Sequence, residues 1–268
     1  MNSRFMVRGS LILLAVLTAI YLVAPVLIVI PTSFNDSSFL KFPPEVWSLR
    51  WYETYFHDAT WIASTINSIK IGLLVTALSV VLGVMASLAM IRGRYPLRAL
   101  AGGLVLAPVL VPYVIIGLAV YAAFLRLGLT QTTLGFVLVH TALAVPFVVI
   151  NVSSALVSFD RRLEMAAMGL GAGPVSTFIR VTLPVIAPSV MAGALFAFIT
   201  SFDEVVTSIF LAGPDLTTLP VQMWSGIRVQ IDPTVAAVST MLLLVTLSLF
   251  GSAGLIRALR NRHLNRSA

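Results

Sequence analysis

Residues 159–184 read FDRRLEMAAMGLGAGPVSTFIRVTLP, and the interpretation of this stretch decides the fold. It is the most polar part of a long apolar region. Before it, residues 133–157 read TLGFVLVHTALAVPFVVINVSSALV, and after it residues 185–212 are again apolar. Within the stretch, 163–170 favours a helix apart from Gly169. Gly171 can take the left-handed conformation that closes a helix at its C-terminal end. Pro174 suits the first turn of a further short helix, and Pro184 the first turn of the following apolar segment. The expectation is a short helix held between two turns, with Ala166 and Ala167 giving it a slim face that could enter a groove.

Composition says what surrounds this connection. The chain of 268 residues is 59% hydrophobic and only 10% charged, against about 25% charged in an ordinary water-soluble domain. A core of this size could not hide that much apolar surface, so much of it must face lipid. A membrane helix needs about 20 mostly apolar residues. Six stretches qualify, at about 11–30, 62–91, 97–124, 133–157, 185–212 and 234–255. Pro108, Pro112 and Pro146 predict kinks, which are tolerable where neighbouring helices satisfy the freed backbone groups. Arg4 and Arg8 give the first stretch a basic start like that of a signal peptide. Its apolar run is too long and lacks a small-x-small cleavage pattern, so it is read as a retained span.

The basic residues orient the spans. Arg4 and Arg8 precede the first. Arg92, Arg94 and Arg98 sit between the second and third. Arg161, Arg162 and Arg180 sit between the fourth and fifth. Arg257, Arg260, Arg262 and Arg266 follow the sixth. Together they hold twelve of the 17 basic residues, all on one side of a six-span arrangement. That side is cytoplasmic by the positive-inside rule, which places both termini and the 159–184 loop inside. Two outside segments are long: 32–60, with Trp47, Trp51 and Tyr52, and 213–233, with Trp224. Their aromatic residues suit either interfacial anchoring or a docking surface for an external partner. The fold expected is an all-α polytopic bundle forming a single transmembrane domain over 1–268.

The loop also resembles a known family. Ala166-Ala167, Gly171, Val181, Leu183 and Pro184 fall at the spacings of the "EAA" loop of bacterial ABC importer permeases. The family's glutamate slot, just before the two alanines, holds Met165, with Glu164 one residue earlier. Either Glu164 or a hydrophobic contact through Met165 could serve in its place. Ser201-Phe202-Asp203-Glu204, Gly213-Pro214, Thr218-Leu219-Pro220, Trp224-Ser225-Gly226-Ile227-Arg228 and Asp232-Pro233 are similar to the C-terminal part of permeases of the spermidine/putrescine branch, which includes relatives for opines and aminophosphonates. The resemblance implies a type I ABC importer permease fold in a bacterial inner membrane. It also implies a pathway shared with a second, different permease chain, two cytoplasmic ATP-binding subunits and a periplasmic solute-binding protein. Glu164, Met165, Ala166, Ala167, Gly171, Leu183 and Pro184 then form the loop that couples to the ATPase. Alternating access, driven by movement of that docked loop, is the implied mechanism. The branch leaves a polyamine, an opine or amino-acid derivative and an aminophosphonate open as solute.

Other chemistry is missing from the chain. It has no cysteine, which excludes disulfides, thiolate metal sites and cysteine nucleophiles. Its two lysines, Lys41 and Lys70, lie outside any phosphate-cradling Gly-Lys-Ser/Thr loop. ATP and its magnesium therefore belong to a partner subunit, and no cofactor or metal is expected on this chain. An intramembrane enzyme is the first alternative, but His57, His140 and His263 are scattered and no Gly-x-Ser-x-Gly elbow is present. His140, inside the fourth span, is expected to hydrogen-bond between helices. An ion-coupled carrier is the second alternative, and no internal repeat of the kind such carriers show is visible.

Asp203 and Glu204 fall inside the predicted fifth span. An acid at membrane depth costs several kcal/mol, so two adjacent acids should not face lipid. On a continuous helix they would point about 100° apart. One could line the translocation pathway and attract a cationic solute, and the other face a neighbouring helix. Alternatively, pairing with Lys70 would only order the bundle.

Overall fold

The computed structural model describes residues 2–39, 41–229 and 232–248. Twelve α-helices and one π-helical turn are present among them, with no strand beyond two isolated bridges, Asn35 with Trp47 and Gly213 with Leu216. The chain divides into two compact units, one comprising the segments up to Ile62 and from Ser225, the other Ala63–Trp224.

The second unit carries the core. Helix α3 (Ala59–Arg92) supplies most of its length to it, followed by α4 (Arg98–Leu110), α5 (Tyr113–Leu127) and α6 (Thr133–Ser158). Helix α6 is the central element. It buries thirteen residues, and among them Phe136, Leu143, Val148 and Val152 pack with Ile71 and Val75 of α3 in one cluster. Lipid is as apolar as leucine, so burial alone does not pull membrane helices together, and close backbone approach must do so. Two glycines provide it. A Cβ at Gly83 would lie 2.6 Å from the Val148 side chain, and a Cβ at Gly193 would lie 3.0 Å from the Val148 Cα. Val148 is therefore gripped from α3 on one side and from the fifth span on the other.

Helices α4 and α5 correct the expected third span. They bend by 103° at Val111-Pro112. Pro112 precedes α5 with φ −56° and ψ 129°, and a proline drives the residue before it out of helical geometry. Val111 is extended accordingly. Pro108, by contrast, stays inside α4. Among the described residues four helices are long and apolar enough to cross a membrane, and a fifth crossing results if the bent pair is one span. Where the sixth span was expected, the described residues hold a shorter apolar helix, α12 (Thr234–Ser248); the remainder of that stretch to 255 lies outside the described residues, as does the Arg257–Arg266 cluster.

The fifth span is longer at its start and shorter at its end than expected. It runs as one apolar helix over Pro174–Phe202, made of α8 (Pro174–Thr177), a π turn (Phe178–Thr182) and α9 (Leu183–Phe202). Pro174 does occupy the first turn. Pro184 is accommodated in the helix just after the π turn, where the Leu183 N–H reaches back five residues to the Phe178 carbonyl. A proline has no N–H to give and crowds the carbonyl four residues back, and a widened turn relieves this crowding. The helix then stops at Phe202 and resumes as the short α10 (Val206–Leu211).

In the first unit, α1 (Asn2–Thr32) exposes Leu11, Leu14, Leu17 and Ile20, the surface expected of a lipid-facing span. The segment after it folds on itself with α2 (Arg50–His57). Trp51 is buried, and its indole N–H donates to the Asn35 carbonyl at 2.7 Å. The Tyr52 hydroxyl lies 2.6 Å from Ser33 Oγ. These two aromatic residues hold the segment together, while Trp47 is exposed. Helix α11 (Leu219–Val229) leads towards α12, whose Thr234 N–H is capped by Asp232 Oδ1 at 2.8 Å.

Candidate functional site: the loop helix and the broken fifth span

Helix α7 (Arg162–Gly169) is the short loop helix. Asp160 Oδ1 accepts the Arg162 N–H at its start, at 2.9 Å. Its end is closed by a complete Schellman motif. The Gly171 N–H donates to the Met168 carbonyl and the Ala172 N–H to the Ala167 carbonyl, at 3.0 and 3.1 Å, with Gly171 at φ +90°. Those are the two bonds that satisfy the last carbonyls of a helix, and they require a left-handed residue at Gly171.

The faces of α7 differ sharply. Leu163, Met165, Ala166 and Met168 are exposed, and Leu170 beyond them is 90% exposed. Glu164 is 7% exposed and turned into the bundle. Its Oε1 lies 2.7 Å from Arg92 Nη2, at the last residue of α3, and accepts a hydrogen bond from the Thr182 hydroxyl in the π turn. The arginine contact is short but off-line for a hydrogen bond, so charge holds it. The Arg92 guanidinium also lies 5.9 Å from the centre of the Phe159 ring, within cation–π range. The structure thus separates residues that the sequence grouped. Met165, Ala166 and Gly171 are on the surface, Ala167 is half-buried, Glu164 is internal, and Leu183 and Pro184 lie in the fifth span.

Asp203 and Glu204 are not on a continuous helix. Asp203 ends α9 and is exposed, whereas Glu204 is buried. Glu204 Oε1 accepts the Thr207 N–H at 2.7 Å, satisfying one of the orphan donors at the start of α10. Pairing with Lys70 is not seen: among the described residues the ion pairs are Lys41–Glu45 and Arg92–Glu164, and Lys70 is exposed. The break is spanned instead by His140 of α6. Its two ring nitrogens lie 3.0 Å from Ser201 Oγ, before the gap, and 3.0 Å from Ser208 Oγ, after it. His140 therefore does hydrogen-bond between helices, and no group of acids, histidines or cysteines able to hold a metal occurs among the described residues.

Sequence reading missed Arg92, Thr182, Ser201 and Ser208. Arg92 was absorbed into the topogenic charge pattern. The available signal was Glu164 itself, the one acid within an alanine- and methionine-rich helix, which implies a partner.

The chain is an all-α bundle of long apolar helices, and the connection before its fifth span carries a separately capped two-turn helix. The same fold is found in the crystal structure of a bacterial ABC transporter involved in the import of the acidic polysaccharide alginate, with a TM-score of 0.73, 15% identity, and coverage of 94% of this chain and 98% of that one. Residues 79–262 match the binding-protein-dependent transport system inner membrane component family, and the chain belongs to that family. Similar relatives include the putrescine transport system permease protein PotI of Escherichia coli, 32% identical over 91% of this chain and 89% of that one. The spermidine/putrescine transport system permease protein PotC of Haemophilus influenzae is 28% identical over 97% of this chain and its own full length. These relatives fall in the branch anticipated from the C-terminal motifs. The chain is therefore the permease subunit of an ABC importer of the inner membrane. It is not itself an enzyme: ATP is hydrolysed by a partner subunit. Membership implies a partner permease, an ATPase and a solute-binding protein.

Proposed function

We propose that this chain pairs with a second, different permease to import a polyamine or a related amine or amino-acid derivative, with α7 as the element that docks into the ATPase. The observation that carries the docking reading is the set of exposed apolar side chains on α7, Leu163, Met165 and Met168, on a helix rigidly closed by the Gly171 motif on the side that the positive-inside pattern makes cytoplasmic. Water-facing apolar side chains on a short helix fit a groove in a partner. The names of the relatives support the solute class. Both termini lie in the cytoplasm in this reading, and two ATP-binding subunits carry the nucleotide and magnesium, with no cofactor on this chain. Closure of the ATPases moves α7, and α7 moves the bundle between inward-open and outward-open arrangements. Exposed Asp203, at the break in the fifth span, lines the pathway and attracts the solute cation, while Glu204 shapes the turn that presents it.

The test is reconstitution of the chain with its partner permease, ATPase and binding protein in proteoliposomes. ATP-dependent uptake of labelled putrescine, spermidine or an opine is expected to exceed uptake of an aminophosphonate. Uptake by this chain alone from an ion gradient would refute the assignment, and a preference for an aminophosphonate would refute the solute class.

A further inference from the structure

The only acid of α7 does not face outward. Glu164 is buried, its Oε1 is shared by Arg92 and the Thr182 hydroxyl, and Arg92 is backed by the Phe159 ring. These partners lie on three different elements: the end of α3, the residue following α6 and the π turn of the fifth span. At its C-terminal end α7 is closed by the bonds from Gly171 and Ala172 and passes to α8 through Gly173. A helix attached only through its two chain ends would swivel when pushed. An ion pair away from water holds only within a narrow geometry, because any displacement leaves a charge both desolvated and unpaired.

We infer that Glu164 is a positioning residue that pins α7 to the ends of α3 and the fifth span, so that α7 meets its partner through apolar side chains and delivers movement to two spans at once. The inference rests on the docking reading above and deepens it. The acid works inward, through Arg92 and Thr182, rather than at the ATPase surface.

The experiment uses the assembled importer in proteoliposomes and reads three quantities: ATPase subunits retained on purification, basal ATP hydrolysis, and solute taken up per ATP hydrolysed. In Glu164→Gln and Arg92→Met, retention and basal hydrolysis stay near the unmodified level while uptake per ATP falls by about tenfold or more. Thr182→Val gives a smaller loss of the same kind. The double variant Arg92→Met with Glu164→Met leaves no lone buried charge, so it accumulates and assembles normally, yet uptake per ATP stays low because the pin is missing. A merely structural role predicts recovery of coupling in that double variant, and such recovery would overturn the proposal. Release of the ATPase by Glu164→Gln but not by Arg92→Met would also overturn it, by placing the acid at the ATPase surface. The docking reading fails in a different way: retention of the ATPase by Met165→Glu with Leu163→Asp would refute that reading and the pin together.

Discussion

Gly169 and Gly171 are two residues apart, and replacing each with alanine should act in opposite directions. Gly171 sits at φ +90°, where an L side chain is strained, while Gly169 is the last residue of α7. Nothing lies within 4 Å of a Cβ built at either position. No collision therefore enters the comparison, and backbone preference decides it. A left-handed non-glycine residue costs about 1–2 kcal/mol, which weakens the capped form of α7 about 5–30-fold. At Gly169 the sign reverses, since alanine in a helix is about 0.5–1 kcal/mol better than glycine. The Schellman bonds from Gly171 and Ala172 to Met168 and Ala167 are lost when the cap opens, so the docking face loses its end. The assay is retention of the ATPase on the purified complex, together with solute-stimulated hydrolysis. Both should fall in the order Gly, Asn, Ala, Val at 171, because asparagine tolerates the left-handed region best after glycine. Alanine at 169 should match or exceed the unmodified complex. Normal assembly and transport in Gly171→Val, or loss in both alanine variants alike, would refute the reasoning.

Other outcomes follow from the same geometry. A cysteine placed at exposed Val175 should react with an impermeant maleimide in inverted vesicles but not from outside intact cells, and a cysteine at exposed Val46 should do the reverse; labelling of Val175→Cys from outside would overturn the orientation. Asp203→Asn should weaken putrescine uptake with assembly intact, whereas Glu204→Gln keeps an oxygen for the Thr207 N–H and should alter uptake less; full transport with unchanged solute preference in both variants would remove the acids from the pathway. His140→Phe leaves the Ser201 and Ser208 hydroxyls unpaired. It should cost about 1–3 kcal/mol per orphaned group, read as a fall of several degrees in the thermal midpoint in detergent, and an unchanged midpoint would refute the bridging role.

What could be read from the sequence was local. Helix α3, predicted over 62–91, spans Ala59–Arg92, and α6, predicted over 133–157, spans Thr133–Ser158, because an apolar run bounded by polar residues sets both length and position. The Gly171 cap was equally legible, since a left-handed helix end depends on one residue type. The gap after Phe202 was not. Val205, Val206, Ile209 and Phe210 keep the stretch apolar on average, and a stop there is made tolerable by the His140 bonds to both sides of the gap and by the Glu204 bond to the Thr207 N–H. The 103° bend at Pro112 was expected as a kink, because a proline marks where a helix yields but not how far its neighbours let it turn. The inward rotation of Glu164 was hidden for a similar reason: Arg92 and Thr182 are 72 residues before it and 18 residues after it, and neither spacing announces contact.

The grip on Val148 makes side-chain size at three positions a joint property rather than three separate ones. A Cβ at residue 83 would lie 2.6 Å from both the Cβ and the Cγ1 of Val148, so losing the branches at 148 still leaves its Cβ in the way, and only glycine there makes room for a methyl at 83. A Cβ at residue 193 would lie 3.0 Å from the Val148 Cα itself, a contact relieved by a backbone shift of α6 rather than by an exchange at 148. Substitution in this part of the bundle therefore runs through residue 148 in two different ways: a methyl at 83 demands glycine at 148, while a methyl at 193 demands a small shift of the α6 backbone.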